Sequence, residues 1–139
     1  MTVALEAGLV GRDEQTLCLF YVGGMGFALI ERFEFDVGTV CRFRRGAARL
    51  KIFFPRDALD PAVTAEPWFR PGGWRYAALA VEQLVDVDAL AAAAATAGGR
   101  VLIAPTNHRD AARMAMIADP EGNTWEILAE AHGEEDGHR

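Results

Sequence analysis

The stretch Asp119-Pro120-Glu121-Gly122-Asn123-Thr124-Trp125-Glu126 joins a turn to the start of an apolar strand. Asp-Pro and Gly-Asn pairs are typical of turns. In the strand that follows, Trp125, Ile127 and Leu128 surround one acidic residue, Glu126. A carboxylate is costly to bury among apolar side chains unless a partner compensates it. We therefore expect Glu126 to face solvent or a polar cavity, while Trp125 and Ile127 face the core.

Length and composition limit the class of protein. The chain has 139 residues, of which 51% are hydrophobic, enough for one domain or for two small modules that share a core. Its net charge of −6 and its lack of a basic cluster argue against nucleic-acid binding. No apolar run approaches the roughly 20 residues of a membrane span, and the N-terminus lacks a signal-peptide pattern. The sequence therefore predicts a cytoplasmic protein with no membrane or nucleic-acid partner.

The order of predicted elements occurs twice, with an offset of about seventy residues. Apolar alternation predicts strands over 3–10, 27–36, 39–43 and 49–54, and again over 76–81, 100–104, 113–118 and 124–129. Each half also contains one helix. The first begins after Asp13 and ends at Gly23-Gly24, and the second covers Ala89–Ala97 after Asp86 or Asp88. The predicted fold is α+β, built from two βαβββ modules.

The remaining segments are predicted to connect or extend the modules. The modules cover 1–54 and 74–130, joined by a Pro-rich connection over 55–73, and residues 131–139 form a polar, flexible tail. Residues 105–112 are predicted to be a loop. Cys18 and Cys41 have no sequence spacing typical of a metal site, so we expect free cysteines in a reducing compartment.

Two such modules, together with the Asp-Pro-Glu-Gly-Asn-x-x-Glu motif, resemble the vicinal oxygen chelate superfamily over residues 3–130. That superfamily includes glyoxalase I, bleomycin-resistance proteins and extradiol dioxygenases. The resemblance implies that the modules form a curved mixed sheet around a cleft. It also implies a homodimer, since single-chain members usually pair and an open sheet edge needs covering.

The resemblance also implies four cavity-facing positions, on the first and last strand of each module, that can hold a metal ion. Counting from the helix caps and following strand alternation, these are Glu6, Lys51, Tyr76 and Glu126. The family pattern is His or Gln, Glu, His and Glu, so the chain departs from it at three of the four positions. A protonated Lys51 offers no lone pair. We expect no metal cofactor; any divalent metal here would have Glu6 and Glu126 as its ligands.

The same four residues are the candidate catalytic groups. Glu6 and Glu126 are candidates for general base and acid. Lys51 is the only lysine in the chain, and with Tyr76 it is a candidate to stabilise an oxyanion. The alternative for each Glu is a structural ion pair with Lys51 or an arginine, and for Lys51 a position at the cavity rim.

Further residues are candidates for ligand binding because of their size or position. This set contains aromatic residues in and after the connection, two loop residues, and two methionines on one strand face. They are Trp68, Phe69, Trp74, His108, Arg109, Met114 and Met116. The alternatives are loop anchoring for the aromatic residues, a solvated loop for His108, and core packing for the methionines.

Three functions fit these residues. The first is a glyoxalase/bleomycin-resistance-like enzyme that acts on a small carbonyl or hydroxy compound by metal-independent acid–base chemistry, as a lyase or isomerase. The second is a non-catalytic, drug-sequestering protein that binds a small molecule. The third is a metal-dependent enzyme of the lactoylglutathione lyase or dioxygenase type, which Lys51 and the missing His ligands disfavour.

Overall fold

The computed structural model describes residues 3–57, 71, 73–109 and 111–131. Within these residues, eight strands and two α-helices follow one another in two equivalent halves. The first half contains β1 (Glu6–Val10), α1 (Glu14–Leu19), a π-helical turn (Phe20–Gly24), β2 (Ala28–Phe35), β3 (Gly38–Arg45) and β4 (Ala48–Pro55). The second contains β5 (Tyr76–Val81), α2 (Leu84–Thr96), β6 (Arg100–Asn107), β7 (Ala112–Ala118) and β8 (Thr124–Glu130).

Each half forms its own four-stranded mixed sheet. The strand order is β1-β4-β3-β2 in the first sheet and β5-β8-β7-β6 in the second. The first and last strands of each module run parallel, and the other neighbours run antiparallel. A parallel pair needs a crossover, which the rest of the module supplies. The predicted α+β fold of two βαβββ modules is confirmed.

The helix starts differ in how well the sequence predicted them. Asp13 caps α1 as predicted, because its side chain accepts a 3.0 Å hydrogen bond from the Thr16 amide. For α2 the predicted capping residues were wrong, since the helix begins at Leu84 and Gln83 is the capping residue. Asp86 instead accepts a hydrogen bond from the Gln83 amide, in the third position of a capping box.

The predicted loop over 105–112 was also wrong in part, because β6 extends through Pro105 to Asn107. This strand lies at the edge of its sheet, where a residue without an amide hydrogen is tolerated. Its pairing with β7 shifts between Ile103 and Thr106, on either side of the proline. Pro105 therefore interrupts the ladder without ending the strand.

One face of each sheet packs against the helices, and a single core joins both modules. Buried side chains of α1, the π-helical turn, α2 and both sheets belong to it, among them Leu17, Phe20, Ile52, Leu90 and Ile127. The modules approach so closely that a Cβ on Gly99 would lie 2.5 Å from Phe20 Cε1 of the first module. We call the sheet faces turned away from the helices the open faces.

Across the described residues, no helix has the length and apolarity that a bilayer crossing requires. The longest, α2, has 13 residues. Asp88 on this helix forms an ion pair with Arg113 of β7, with N–O distances of 2.7 and 2.8 Å. This pair fixes α2 to its own sheet at the surface.

Candidate functional site

The four candidate catalytic residues lie on open faces, two on each sheet. Glu6 pairs with Arg49 and Lys51 pairs with Gly8, so Glu6 and Lys51 are diagonal neighbours on the first sheet. Tyr76 and Glu126 have the same relationship on the second sheet. Their strand neighbours Leu50, Ile52, Trp125 and Ile127 are buried on the helix faces. The two sheets are not hydrogen-bonded to each other. Strand alternation therefore predicts on which face each residue lies. In the structure, Glu6 and Lys51 lie on one sheet, and Tyr76 and Glu126 lie on the other.

On the first open face, Glu6 forms an ion pair with Arg42 rather than with Lys51. The Arg42 Nε and Nη2 atoms donate to the Glu6 carboxylate over 3.2 and 3.5 Å. Arg42 also donates to Glu31 over 3.1 Å. The hydrogen bonds from these carboxylates, that of Glu6 first, raise the pKa of Arg42 above its ordinary value. This contact is the structural ion pair with an arginine that was the alternative for Glu6.

Lys51 is exposed at the centre of the same face. Its register partner on β3 is Arg42, and the next pair on the same face is Arg44 and Arg49. Within the described part of the chain, Lys51 has no hydrogen-bond or ion-pair partner. These four cations outnumber the carboxylates of Glu6 and Glu31, so the first open face is locally basic in an acidic protein.

Glu126 on the second open face has different surroundings. It is half-buried, and its register partners are Ala78 of β5 and Met116 of β7. No described residue forms a hydrogen bond or an ion pair with it. Thr124 lies two residues before it on the same face, and its hydroxyl is buried without a partner among the described residues. Glu126 is therefore a carboxylate held on an apolar surface and free to bind a ligand.

The four residues do not make a metal site within the chain. Lys51 offers no lone pair when protonated, and the Glu6 carboxylate already accepts two hydrogen bonds from Arg42. Glu126 and Tyr76 lie on the other sheet. A divalent ion needs several oxygen, nitrogen or sulfur donors that converge. The donor set at these positions does not fit the ion that the fold family implies.

The candidate ligand-binding residues are spread over the molecule. Met114 and Met116 share the open face with Glu126 and pair with Leu128 and Glu126 respectively. Met116 is 2% exposed, whereas Trp74 is 99% exposed. His108 and Arg109 are exposed beyond the end of β6, and Arg109 forms an ion pair with Glu130. Trp68 and Phe69 lie outside the described residues.

A cavity of about 700 Å³ lies between the β3–β4 turn and β5. Its walls include Arg45 from the end of β3, Ala78 and Ala80 from β5, and the acidic residues Glu82 and Asp86. None of the four candidate catalytic residues lines it. Its nearest link to them is Ala78, which is the register partner of Glu126. Arg45 donates to the Met25 carbonyl oxygen over 2.8 Å.

The turn from Asp119 to Asn123 has a role that sequence reasoning missed. Asp119 accepts hydrogen bonds from the amides of Glu121 and Asn123, both over 2.9 Å, and so shapes the turn. Glu121 then accepts hydrogen bonds from the amides of Arg12 and Asp13 over 2.8 to 3.0 Å. A carboxylate at the start of a helix satisfies its free amides and its dipole. The turn thus docks the second module on the N-terminus of α1.

Asp119 also takes part in a buried network between the modules. The Tyr21 hydroxyl donates to Asp119 Oδ2 over 2.6 Å and accepts from Trp125 Nε1 over 3.0 Å. Burial, followed by the nearby negative charge of Asp119, raises the pKa of Tyr21 well above its ordinary value. Tyr21 therefore stays protonated and acts as a structural link.

Sequence reasoning also missed a group of metal-type donors. The ligand atoms of Glu14, Cys18 and Cys41 all lie within 4.8 Å of one another. They lie between α1 and the helix face of the first sheet, away from Glu6 and Lys51. The spacing of Glu14 and Cys18, one helical turn apart, was a signal in the sequence, but nothing there indicated that Cys41 would join them.

The fold has close counterparts among solved structures. A glyoxylase/bleomycin resistance protein/dioxygenase domain from Frankia sp. EAN1pec is 17% identical with a TM-score of 0.77, over 94% of this chain and 98% of that one. A glyoxalase-related enzyme from Fulvimarina pelagi is 23% identical with a TM-score of 0.67, over 93% and 88% of the two chains. A glyoxalase family protein from Enterococcus faecalis is 18% identical with a TM-score of 0.68, over 88% and 94%. Identities this low relate the proteins by fold.

The sequence itself gives the family. A search of curated proteins found no match to the chain. Residues 5–127, however, match the family model described as the Glyoxalase/Bleomycin resistance protein/Dioxygenase superfamily. The match includes both modules and ends next to Glu126. The chain therefore belongs to the glyoxalase/bleomycin resistance protein/dioxygenase superfamily.

Proposed function

We propose that this protein acts on a small carbonyl or hydroxy compound by acid–base chemistry of the lyase or isomerase type, without a metal ion at the four candidate positions. The proposal rests on the surroundings of the Glu126 side chain. It is a half-buried carboxylate on an apolar face, and no described residue pairs with it. A carboxylate in such a setting is available to accept a proton from a bound compound.

Tyr76 is suitably disposed to assist this step. As a diagonal neighbour of Glu126, its Cα lies about 8 Å away by strand geometry, which leaves room for a small compound. Glu126 takes the proton from the carbon next to a carbonyl. The C–H electron pair becomes the C=C bond of an enolate, and the carbonyl π pair moves onto the oxygen. The Tyr76 phenol donates a hydrogen bond to the resulting enolate. In an α-hydroxy carbonyl compound, return of the proton to the former carbonyl carbon gives an isomer. Expulsion of a leaving group from the β carbon of the enolate gives a lyase product.

The proposal includes a homodimer that completes the site. β1 and β5 are edge strands, each hydrogen-bonded on one side only. Exposed apolar side chains lie on or beside them, including Leu5, Val10 and Trp74, which are 89%, 58% and 99% exposed. A second copy would cover them. Pairing of β1 from one copy with β5 of the other would bring Glu6 and Lys51 opposite Tyr76 and Glu126.

The second candidate function is non-catalytic binding of a small molecule, as in drug sequestration. The apolar surface around Glu126 favours it, since Ala78, Met114, Met116 and Leu128 share that face. Methionine side chains adapt to ligands of different shapes. Here Glu126 would bind a hydrogen-bond donor or a cation of the ligand instead of moving a proton.

One experiment separates the two functions. Small carbonyl and hydroxy compounds are screened by thermal shift, and each compound that stabilises the protein is then incubated with it in D₂O and followed by NMR. The proposed enzyme exchanges or removes a proton next to the carbonyl. A compound that raises the melting temperature and stays chemically unchanged, with no exchange, supports the binding protein and contradicts the enzyme.

A further inference from the structure

We propose that Glu14, Cys18 and Cys41 form a second site, separate from the open faces, for a divalent ion of the zinc type. The site lies between α1 and the helix face of the first sheet. It shares no residue with the acid–base site around Glu126, so each proposal stands or fails without the other.

The positions of the three donors follow from the fold. Glu14 and Cys18 are four residues apart on α1 and so lie on one side of the helix. Cys41 is on β3, where its partner in β4 is the buried Ile52, and it therefore points toward α1. All three ligand atoms lie within 4.8 Å of one another. The two elements thus bring together donors that are far apart in sequence.

The spacing of one donor pair, Cys41 and Glu14, fits a tetrahedral ion. Zinc lies about 2.3 Å from a cysteine sulfur and about 2.0 Å from a carboxylate oxygen, so a tetrahedral angle separates these donors by about 3.5 Å. Cys41 Sγ lies 3.5 Å from Glu14 Oε2, to which its thiol donates a hydrogen bond. An ion that replaces the thiol protons would need little movement of these two side chains.

An arginine beside the site offsets part of its negative charge. Two thiolates and one carboxylate carry three negative charges, and a divalent ion leaves one. Arg32, which Glu14 shares with Glu34, supplies part of the compensating positive charge, since the Arg32 Nε and Nη2 atoms donate to the Glu14 carboxylate over 2.5 and 3.2 Å. A hydrogen-bonded partner of this kind orients a metal-binding carboxylate. Binding releases the proton of each thiol to solvent.

The donor types select the ion and leave one position for water. Sulfur ligands favour zinc and its soft relatives over magnesium or calcium. Cys41 is buried and Cys18 is half-buried, whereas the Glu14 side chain is 30% exposed. An ion can therefore enter from the Glu14 side, and solvent can supply the fourth ligand. Three protein ligands and one water are the arrangement of many zinc sites with an open position.

The test is a metal titration of reduced, tag-free protein after treatment with a chelator. Co²⁺ is added first, because thiolate ligands give it a charge-transfer absorption that carboxylate or imidazole ligands do not. Zn²⁺ is then titrated in competition with a chromophoric chelator. We expect one ion per chain with the thiolate absorption, and a higher melting temperature in the presence of Zn²⁺.

Variants make the test specific to these residues. Cys18→Ser and Glu14→Gln should each lower Zn²⁺ affinity by about 100-fold or more, and Cys18→Ser should also weaken the cobalt absorption. Glu34→Gln is the matched control, because Glu34 also pairs with Arg32, over 3.1 Å, but lies outside the donor group. It should bind Zn²⁺ like the original protein, and so should Glu126→Gln.

Three results would overturn the proposal. The first is reduced protein that shows no thiolate absorption with Co²⁺. The second is an unchanged Zn²⁺ affinity in folded Cys18→Ser. The third is a Cys18–Cys41 disulfide in the purified protein together with no metal uptake after reduction. None of these results bears on Glu126, whose test is turnover.

Discussion

The phenol of Tyr21 donates a buried hydrogen bond of 2.6 Å to the carboxylate of Asp119. Tyr21 belongs to the π-helical turn of the first module, and Asp119 belongs to the turn before β8 of the second. Trp125 donates to the same phenol oxygen over 3.0 Å. The motif that indicates the fold in the sequence is therefore also part of the contact that holds the modules together.

Tyr21→Phe should destabilise the protein by about 1–3 kcal/mol, because it leaves Asp119 and the Trp125 indole without their buried partner. Denaturant unfolding followed by circular dichroism measures this loss. Tyr76→Phe makes the same chemical change at a residue that is 48% exposed, and should lower the free energy of unfolding by a smaller amount. Equal losses in the two variants would contradict a structural role for the Tyr21 hydroxyl.

Glu121→Ala should cost on the order of 1 kcal/mol, the usual size of a lost helix N-terminal partner. The Arg12 and Asp13 amides lose their acceptor, so their hydrogen exchange should become faster. Exchange measured by NMR localises the effect. Glu34→Ala removes a surface carboxylate elsewhere and should leave the exchange rates of these two amides unchanged. Slow exchange at both amides in Glu121→Ala would show that the turn does not dock on α1.

The ion pair of Asp88 and Arg113 should make stability depend on pH in the acid range. Hydrogen bonds from Arg113 hold the pKa of Asp88 below its ordinary value of 3.8. A depressed pKa in the folded state stabilises the protein above the ordinary value, and this contribution is lost as the pH falls through the folded pKa. Asp88→Asn should therefore be less stable than the original at neutral pH and converge with it in strong acid. A difference in the free energy of unfolding between the two proteins that stays constant with pH would contradict this.

A mixing experiment tests whether two copies complete the site. Lys51→Met removes the cation that the partner copy would bring opposite Glu126, and Glu126→Gln removes the proposed base, so each variant should be inactive alone. If the halves come from different chains, random mixed dimers hold one intact site, and activity should return to about one quarter of the original. A site within one chain, or a monomer, gives no recovery. Size-exclusion chromatography with light scattering of each variant confirms that the dimer is retained.

The fold could be predicted from the sequence because strand alternation and helix caps are local signals. Alternation in β5 and β8 gave the faces of Tyr76 and Glu126, and Asp13 marked the start of α1. The start of α2 was missed because Asp86 is a good capping residue by type, yet its side chain binds back to Gln83 from the third position. Local patterns of this kind do not distinguish a capping residue from the acidic residue that completes a capping box.

The site was less predictable because it depends on contacts between distant segments. The Glu6–Arg42 pair requires the register of β1 on β4 and of β4 on β3, which no single strand encodes. The meeting of Cys41 with Cys18 depends on how α1 packs across the sheet. The docking of Glu121 on α1 likewise joins residues more than one hundred positions apart. Strand alternation assigns a face, and tertiary packing decides what that face meets.

The central claim is that Glu126 moves a proton. Its most direct test is the rate at which the proton next to the carbonyl of a bound compound exchanges with D₂O, measured by NMR for the original protein and for Glu126→Gln. If Glu126 is the base, exchange should fall by at least about 100-fold in Glu126→Gln, as for loss of a general base, while folding and ligand-induced stabilisation persist. Exchange at the original rate in Glu126→Gln would contradict the claim.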